Sequence, residues 1–247
     1  MRKRLTAVLA FTLLALMAAG CGKPKPEDIS AEFMDMLENP TREKVDAAAD
    51  YLKGNLRHLD GERVGELLLY WEGAALSVDN GSVDYGDLVE EYRGAAPDYV
   101  IELFLLEDAE RKSPIISGAA LQVGWQDLLD RAGRVEGFIR ANRDKSIVKD
   151  DALWLYRRHV NAVLMGASNS PIFDYKTNEF SAEARALYAA YAAERPETAL
   201  AWTLGEYRKY LESVGYKLDY SKKEESAKFF DVCSRLTSES EKRVYAP

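Results

Sequence analysis

Apolar residues recur at intervals of three and four along most of this chain, the spacing that places side chains on one face of an α-helix. The clearest stripe joins Leu200, Leu204, Tyr207, Leu211 and Val214, and it ends at Gly215. An apolar stripe has to be buried against another element, and this pattern supplies helices as the partners. The sequence therefore predicts an all-α fold of about eight amphipathic helices.

Few segments have the alternating pattern of a strand. The candidates are short, Ser146 to Val148 and Tyr216 to Leu218. One long helix is expected to start at Ser113-Pro114, because proline is tolerated in the first turn, and to continue through Leu121 to Ile139. About 220 residues are enough for one large domain or two small ones, and we predict a single helical domain over residues 28–247.

The first residues have the pattern of an export signal. Arg2-Lys3-Arg4 precedes an apolar stretch of 13 residues from Leu5 to Met17, and small residues then lead to Cys21. The basic residues favour the cytoplasmic side of a membrane, while a stretch of this length is short for a helix that spans the bilayer. An ordinary secretory signal and an uncleaved membrane helix are two possible interpretations of this segment.

The run Leu16-Met17-Ala18-Ala19-Gly20-Cys21 resembles the lipobox of bacterial lipoproteins. The resemblance implies a signal peptide over residues 1–20, cleavage before Cys21 and diacylation of its thiol. It also implies export, with a lipid anchor on the outer face of the cytoplasmic membrane or, in a two-membrane cell, on the outer membrane. Residues 21–27, which include Pro24 and Pro26, would then be the lipidated cysteine and its tether.

Charge narrows the range of partners. The chain has 33 basic and 41 acidic residues, and removal of residues 1–20 leaves 30 basic residues against 41 acidic ones. Nucleic acid is therefore excluded as an expected partner, because its binding requires clustered cations. Attraction to anionic lipid headgroups is disfavoured for the same reason, so the acyl chains on Cys21 would provide the membrane attachment.

The residues of metal and nucleophilic sites are scarce. The histidines are His58 and His159, without a metal-ligand partner three or four residues away, and no zinc, phosphate-loop or dinucleotide motif is present. The acidic segment 79–87 resembles the second half of a calcium loop, but the early ligand positions fall on Leu76 and Val78, which offer no side-chain oxygen. We predict an acidic turn there, and no metal or cofactor.

Cys233 lies on an expected apolar stripe with Phe229, Phe230 and Leu236. This spacing predicts a buried and unreactive thiol.

The segment from Gly166 to Phe180 is the longest in the expected domain without helical periodicity. Such loops often bind ligands, although this one can also be a connection pinned to the core by Ile172 and Phe173. The candidate ligand-binding residues are four in the loop and two in the preceding helix, namely Asn169, Ser170, Asp174, Tyr175, Arg157 and His159.

Ala184, Tyr188, Pro196 and Trp202 resemble part of a tetratricopeptide repeat, without a second copy 34 residues away. This resemblance implies antiparallel helix pairs and a concave peptide-binding surface. Together these observations predict a membrane-anchored extracytoplasmic lipoprotein that acts as a non-catalytic binding or assembly module for an envelope protein, a peptide or a small solute. A cell-envelope hydrolase with a carboxylate pair is the alternative.

Overall fold

The computed structural model describes residues 24–78 and 82–246. The predicted signal peptide, Cys21 and residues 79–81 of the acidic segment lie outside these ranges. The described part of the chain is predominantly helical, in agreement with the all-α prediction, and it contains ten α-helices where about eight were expected. Two compact units divide the chain, Met1–Gly81 and Ser82–Pro247. The assignment of residues 28–247 to one domain stays a prediction.

The described part of the first unit contains three α-helices, α1 (Pro26–Leu37), α2 (Arg42–Asn55) and α3 (Gly61–Ser77), with a 3₁₀ turn at Leu56–His58. Pro26 is in the first turn of α1, so the helix begins inside the predicted tether of residues 21–27. Thr41 and Asp60 cap α2 and α3 by accepting hydrogen bonds from backbone N–H groups.

The helices of this unit pack through apolar residues on one face of each helix. In α1 the buried residues are Ile29, Phe33 and Leu37, one turn apart. The indole of Trp71 in α3 donates a hydrogen bond of 2.9 Å to the carbonyl of Val45 in α2. The tryptophan thus contributes both apolar area and a satisfied polar group to the contact between the helices.

The second unit begins with α4 (Tyr85–Tyr92) and α5 (Asp98–Lys112), followed by a hairpin of β1 (Ile116–Ser117) and β2 (Ala120–Leu121). Next come α6 (Trp125–Ala141), a 3₁₀ turn at Ser146–Val148 and α7 (Lys149–Met165). A second hairpin, β3 (Gly166–Ala167) and β4 (Ser170–Pro171), precedes α8 (Ala182–Glu194), α9 (Ala199–Ser213) and α10 (Lys223–Tyr245).

Two predictions about this unit are wrong. Ser113-Pro114 does not start a helix, because β1 and β2 occupy residues 116–121 and α6 starts only at Trp125. Leu121 therefore lies in a strand. The segment 146–148 forms a 3₁₀ turn rather than a strand, while in the segment 216–218 Lys217 makes an isolated bridge with Glu179. These segments are too short for periodicity to distinguish their conformations.

Helix α7 packs against α6 and α10. Its buried residues include Tyr156, Val160 and Val163, as the stripe predicts. The loop after it is pinned by the fully buried Ile172 and Phe173. Phe173 makes edge-on contacts with Phe180, Tyr220 and Phe229, so the loop is part of an aromatic core that also includes residues of α10.

Candidate functional site

A pocket of about 490 Å³ opens beside the Gly166 to Phe180 loop. It lies where the first hairpin, the last turns of α7, the second hairpin and the start of α10 meet. We call it the loop pocket, and the side chains that define it are Ile116, Arg158, Asn161, Tyr175, Tyr220 and Phe230. Its volume is in the range typical of small-molecule sites.

Glycine makes the sharp exit from α7 possible at the pocket wall. Gly166 has a φ of 73°, and a Cβ atom at this position would lie 2.3 Å from the carbonyl oxygen of Ser170. Any other residue would therefore be strained and would collide with the paired strand. In this way the sequence fixes the tight β3–β4 hairpin directly after the helix.

Hydrogen bonds hold the two hairpins together. The backbone N–H of Asn169 donates to the carbonyl of Ala119 at 2.7 Å, and its side-chain amide donates to the carbonyl of Gly118 at 3.0 Å. The hydroxyl of Ser170 accepts from the N–H of Leu121 at 3.3 Å. Asn169 and Ser170 thus position the pocket's backbone through contacts within the protein.

Three aromatic rings form one side of the pocket. The centroids of Tyr175 and Tyr220 are 5.1 Å apart, and those of Tyr220 and Phe230 are 6.4 Å apart. The hydroxyl of Tyr175 donates to the carbonyl of Ser168, which fixes this ring against the tip of the second hairpin. The exposed fractions of Tyr175 and Phe230 are 58% and 48%. We call these three residues the aromatic shelf.

Arg158 provides the pocket's positive charge. Its guanidinium lies 4.7 Å from the ring centroid of Trp154, one turn earlier on α7. Asn161 lies three residues after Arg158 on the same helix. Its side-chain oxygen accepts a hydrogen bond of 2.8 Å from the hydroxyl of Thr237. No Asp or Glu belongs to the lining formed by the described residues, but the carboxyl of Glu107 on α5 is near enough to interact with Arg158 electrostatically.

Of the six residues predicted to bind a ligand, Tyr175 lines the loop pocket and the other five do not. Arg157 forms an ion pair with Glu241. Asp174 accepts hydrogen bonds from the N–H groups of Lys176 and Thr177, which lower the pKa of its carboxyl. Asn169 and Ser170 hold the hairpins, as described above. The assignment of these five residues to ligand binding stays a prediction, and none of the five lines the loop pocket.

His159 belongs to a buried polar cluster instead. One ring nitrogen, Nδ1, lies 2.7 Å from the carbonyl oxygen of Leu155, and the other, Nε2, lies 3.0 Å from a carboxylate oxygen of Glu110. Arg131 donates to the same oxygen at 3.1 Å. Burial raises the pKa of Glu110, but the hydrogen bonds and charges of His159 and Arg131 outweigh it, so that the net pKa is lowered.

A second buried carboxylate caps a helix. Glu136 on α6 accepts hydrogen bonds from the backbone N–H groups of Ala199 and Leu200, the first residues of α9. Glu110 and Glu136 both have structural partners, although one oxygen of Glu110, Oε2, has no hydrogen-bond partner among the described residues, and neither carboxylate lines the loop pocket.

Sequence reasoning missed two residues of the shelf. Phe230 was expected on the buried stripe of Cys233, but only Phe229, Cys233 and Leu236 are buried, while Phe230 faces outward. Adjacent residues on a helix lie about 100° apart, so the Phe229-Phe230 pair was itself a signal that one ring is exposed. Tyr220 gave no such signal, because it lies in an irregular segment.

Within residues 24–78 and 82–246, no group of three or more His, Cys, Asp or Glu side chains converges as a metal site requires. In the acidic segment, Asp84 caps α4 by accepting a hydrogen bond from the N–H of Asp87. No helix in the described part of the chain combines the length and the hydropathy needed to cross a bilayer.

In comparisons with known proteins, no family model, no curated protein and no solved structure matches this chain.

Proposed function

We propose that this protein is an exported lipoprotein, anchored through acylated Cys21, whose helical region is a non-catalytic binding module with the loop pocket as its binding site. The proposal treats residues 28–247 as one helical domain built from antiparallel helix pairs. The anchor rests on the N-terminal sequence pattern, and it would hold the domain on the outer face of the cytoplasmic membrane or on the outer membrane of a two-membrane cell.

One observation carries the binding role. Among the described residues of the second unit, the exposed large apolar side chains are Leu105, Ile116, Trp154, Tyr175 and Phe230. Three of these line the loop pocket, and Trp154 packs against Arg158, the arginine of that pocket. Exposed apolar groups that gather around one concave surface, rather than being scattered singly, are typical of a binding site.

The occupant proposed for this site is a peptide or a small solute. The concave shape and the limited volume favour a small molecule or a short segment of chain over a globular partner, which would need a surface of about 800 Å² on each side. An envelope protein could still use the same site if it presents such a segment. A non-catalytic role agrees with a lining that holds one guanidinium, an amide and aromatic rings.

Photo-crosslinking in intact cells tests the proposal. A photoreactive phenylalanine would replace Tyr175 in the loop pocket, and in the control it would replace Tyr70, which is 51% exposed in the first unit. We expect a discrete adduct at position 175, identified by mass, that is missing at position 70. Equal adducts at both positions, or none at position 175, would overturn the binding role.

A further inference from the structure

We infer that the loop pocket takes a small anionic amphiphile, with its acidic group on the guanidinium of Arg158 and its apolar body on the aromatic shelf. This inference rests on the proposed function and names the chemical class of its ligand. The acidic group can be a carboxylate or a phosphate, which a guanidinium recognises with the same planar pair of donors.

The anion position follows from what Arg158 does and does not contact. Its guanidinium is half-buried in the pocket wall and packs on Trp154. None of the ion pairs formed within the described ranges includes Arg158, whereas Arg157, the preceding residue, is paired with Glu241. Glu107 on α5 interacts with Arg158 electrostatically, but no carboxylate of the described residues forms an ion pair with it. A partly desolvated guanidinium without a direct ion-pair partner favours an external anion, because such a pair is stronger there than in bulk water.

The stacking on Trp154 also fixes the direction of the guanidinium. Residues four apart on a helix face the same side, so Arg158 and Trp154 share a surface of α7. An arginine that packs on an aromatic ring keeps its N–H groups free in the plane of the guanidinium, and these groups can donate to a ligand. Less side-chain entropy is then lost when the anion binds.

The apolar body of the ligand follows from the shelf. Tyr175, Tyr220 and Phe230 present neighbouring rings to the pocket, and Ile116 adds an aliphatic contact. The shelf is supported from below by Phe173, which is fully buried and makes an edge-on contact with Tyr220. Rigid exposed rings of this kind bind flat or aliphatic groups by excluding water at low entropic cost.

The side-chain amide of Asn161 offers a further polar contact. Its oxygen is used by Thr237, and its NH₂ group makes no hydrogen bond to any residue that the structure describes. An amide donor on the same helix as Arg158, three residues later, supports an acceptor in the ligand. Arg158 and Asn161 thus both present N–H donors to the pocket, as an anion requires.

Matched aromatic probes test the inference. The full-length lipidated protein, held in nanodiscs of neutral lipid, would be titrated with 2-naphthoate and with 2-naphthamide, and binding would be measured by saturation-transfer NMR against empty nanodiscs. The probes have the same ring and nearly the same size, and they differ in charge. We expect 2-naphthoate to bind at least tenfold more tightly. A titration with 2-naphthyl phosphate then shows whether the site prefers a phosphate to a carboxylate.

Variants assign the effect to Arg158. Arg158→Gln is expected to lower the affinity for 2-naphthoate about tenfold and to leave the affinity for 2-naphthamide within about twofold. Arg158→Lys, which keeps the charge, should retain part of the preference even if the glutamine variant is poorly folded. Arg157→Gln is the matched control, and it should leave the affinities for both probes unchanged because Arg157 lies outside the pocket.

Equal affinities for the two probes, no binding of either, or an equal loss in Arg157→Gln and Arg158→Gln would overturn the inference. These failures are distinguishable from failure of the proposed function. A crosslinked adduct at position 175 without any charge preference would retain the binding role and reject the anionic ligand. Charge-dependent binding to the purified protein without an adduct in cells would support the anionic ligand class and would reject occupation of the site in cells.

Discussion

The carboxylate of Glu136 on α6 accepts a hydrogen bond of 2.6 Å from the backbone N–H of Ala199, the first residue of α9. A second bond of 2.9 Å comes from Leu200. A buried negative charge therefore lies at the positive end of a helix dipole, where it also pairs with N–H groups that have no partner inside the helix. These two hydrogen bonds connect α6 and α9, and the bonded residues are more than 60 positions apart in the sequence.

Replacement of Glu136 should destabilise the second unit. Glu136→Ala leaves two buried N–H groups of α9 unpaired, and we expect a loss of about 2–3 kcal/mol in the free energy of unfolding. Urea denaturation followed by circular dichroism measures it. The control is Glu206→Ala, which removes a surface ion pair with Lys209 and should cost less than about 1 kcal/mol. Equal effects of the two substitutions would contradict the capping role of Glu136.

Two glycines of the second unit should respond in opposite directions to alanine. At Gly166 the positive φ and the clash with the Ser170 carbonyl predict a destabilisation of more than about 1 kcal/mol. At Gly137, exposed within α6, an added Cβ has no heavy atom within 4 Å, so alanine should stabilise the helix by about 0.5–1 kcal/mol. Thermal unfolding of the two variants checks both signs, and a stabilising Gly166→Ala would refute the account of the hairpin.

The carboxyl of Glu107 should make stability depend on pH. Burial, reinforced by Asp151 and Glu110, raises its pKa from 4.5 to about 7, while Arg158 and His159 act in the opposite direction. The folded protein thus holds this proton more tightly than the unfolded chain. The resulting stability is fully present below about pH 4.5 and is lost as the pH rises through 7, by at most about 3 kcal/mol.

Comparison with Glu107→Gln isolates this group. The variant cannot ionise, so its stability relative to the wild type should increase between pH 5 and pH 8. Glu102→Gln, an exposed position on the same helix, should show no such change. Urea unfolding of the three proteins at both pH values is the measurement, and a constant difference between Glu107→Gln and the wild type would contradict the assignment.

Cys233 should be inert in the folded protein. Its side chain is fully buried, and burial raises the pKa of the thiol well above its ordinary value. Because the thiolate is the reactive form, a disulfide reagent such as DTNB should leave the native protein unmodified and should react with one thiol per chain in urea. The chain has two cysteines, so two reactive thiols in urea would show that Cys21 is not acylated.

The periodicity of the sequence predicted the long helices well. Four residues of the predicted stripe, Leu200, Leu204, Tyr207 and Leu211, are buried in α9, while Val214 at the end of the helix is half-buried. Gly215 after it has the positive φ expected of a helix end. Helix α4 was missed because its eight residues give only two turns and follow a segment rich in Asp and Gly. The hairpins were missed since strands of two residues carry no alternating pattern.

The candidate site was predicted only in part. The loop after α7 borders the pocket and its residue Tyr175 lines it, whereas the predicted residues of α7 are Arg157 and His159 and not their neighbour Arg158, which does line it. The 3.6-residue period places successive residues on different faces, and sequence alone did not show which face meets the loop. Tyr220 and Phe230 lie far along the chain, and tertiary packing brings them to the same pocket.

The acylation of Cys21 tests the central claim of this account, that a lipid anchor attaches the binding module to the outer face of a membrane. Bacteria that express the wild type or Cys21→Ser would be grown with a radiolabelled or alkyne-tagged palmitate. We predict a labelled wild-type chain in the membrane fraction that begins at residue 21, and an unlabelled serine variant. An unlabelled wild-type chain that retains residues 1–20 and is found in the cytosol would contradict the account.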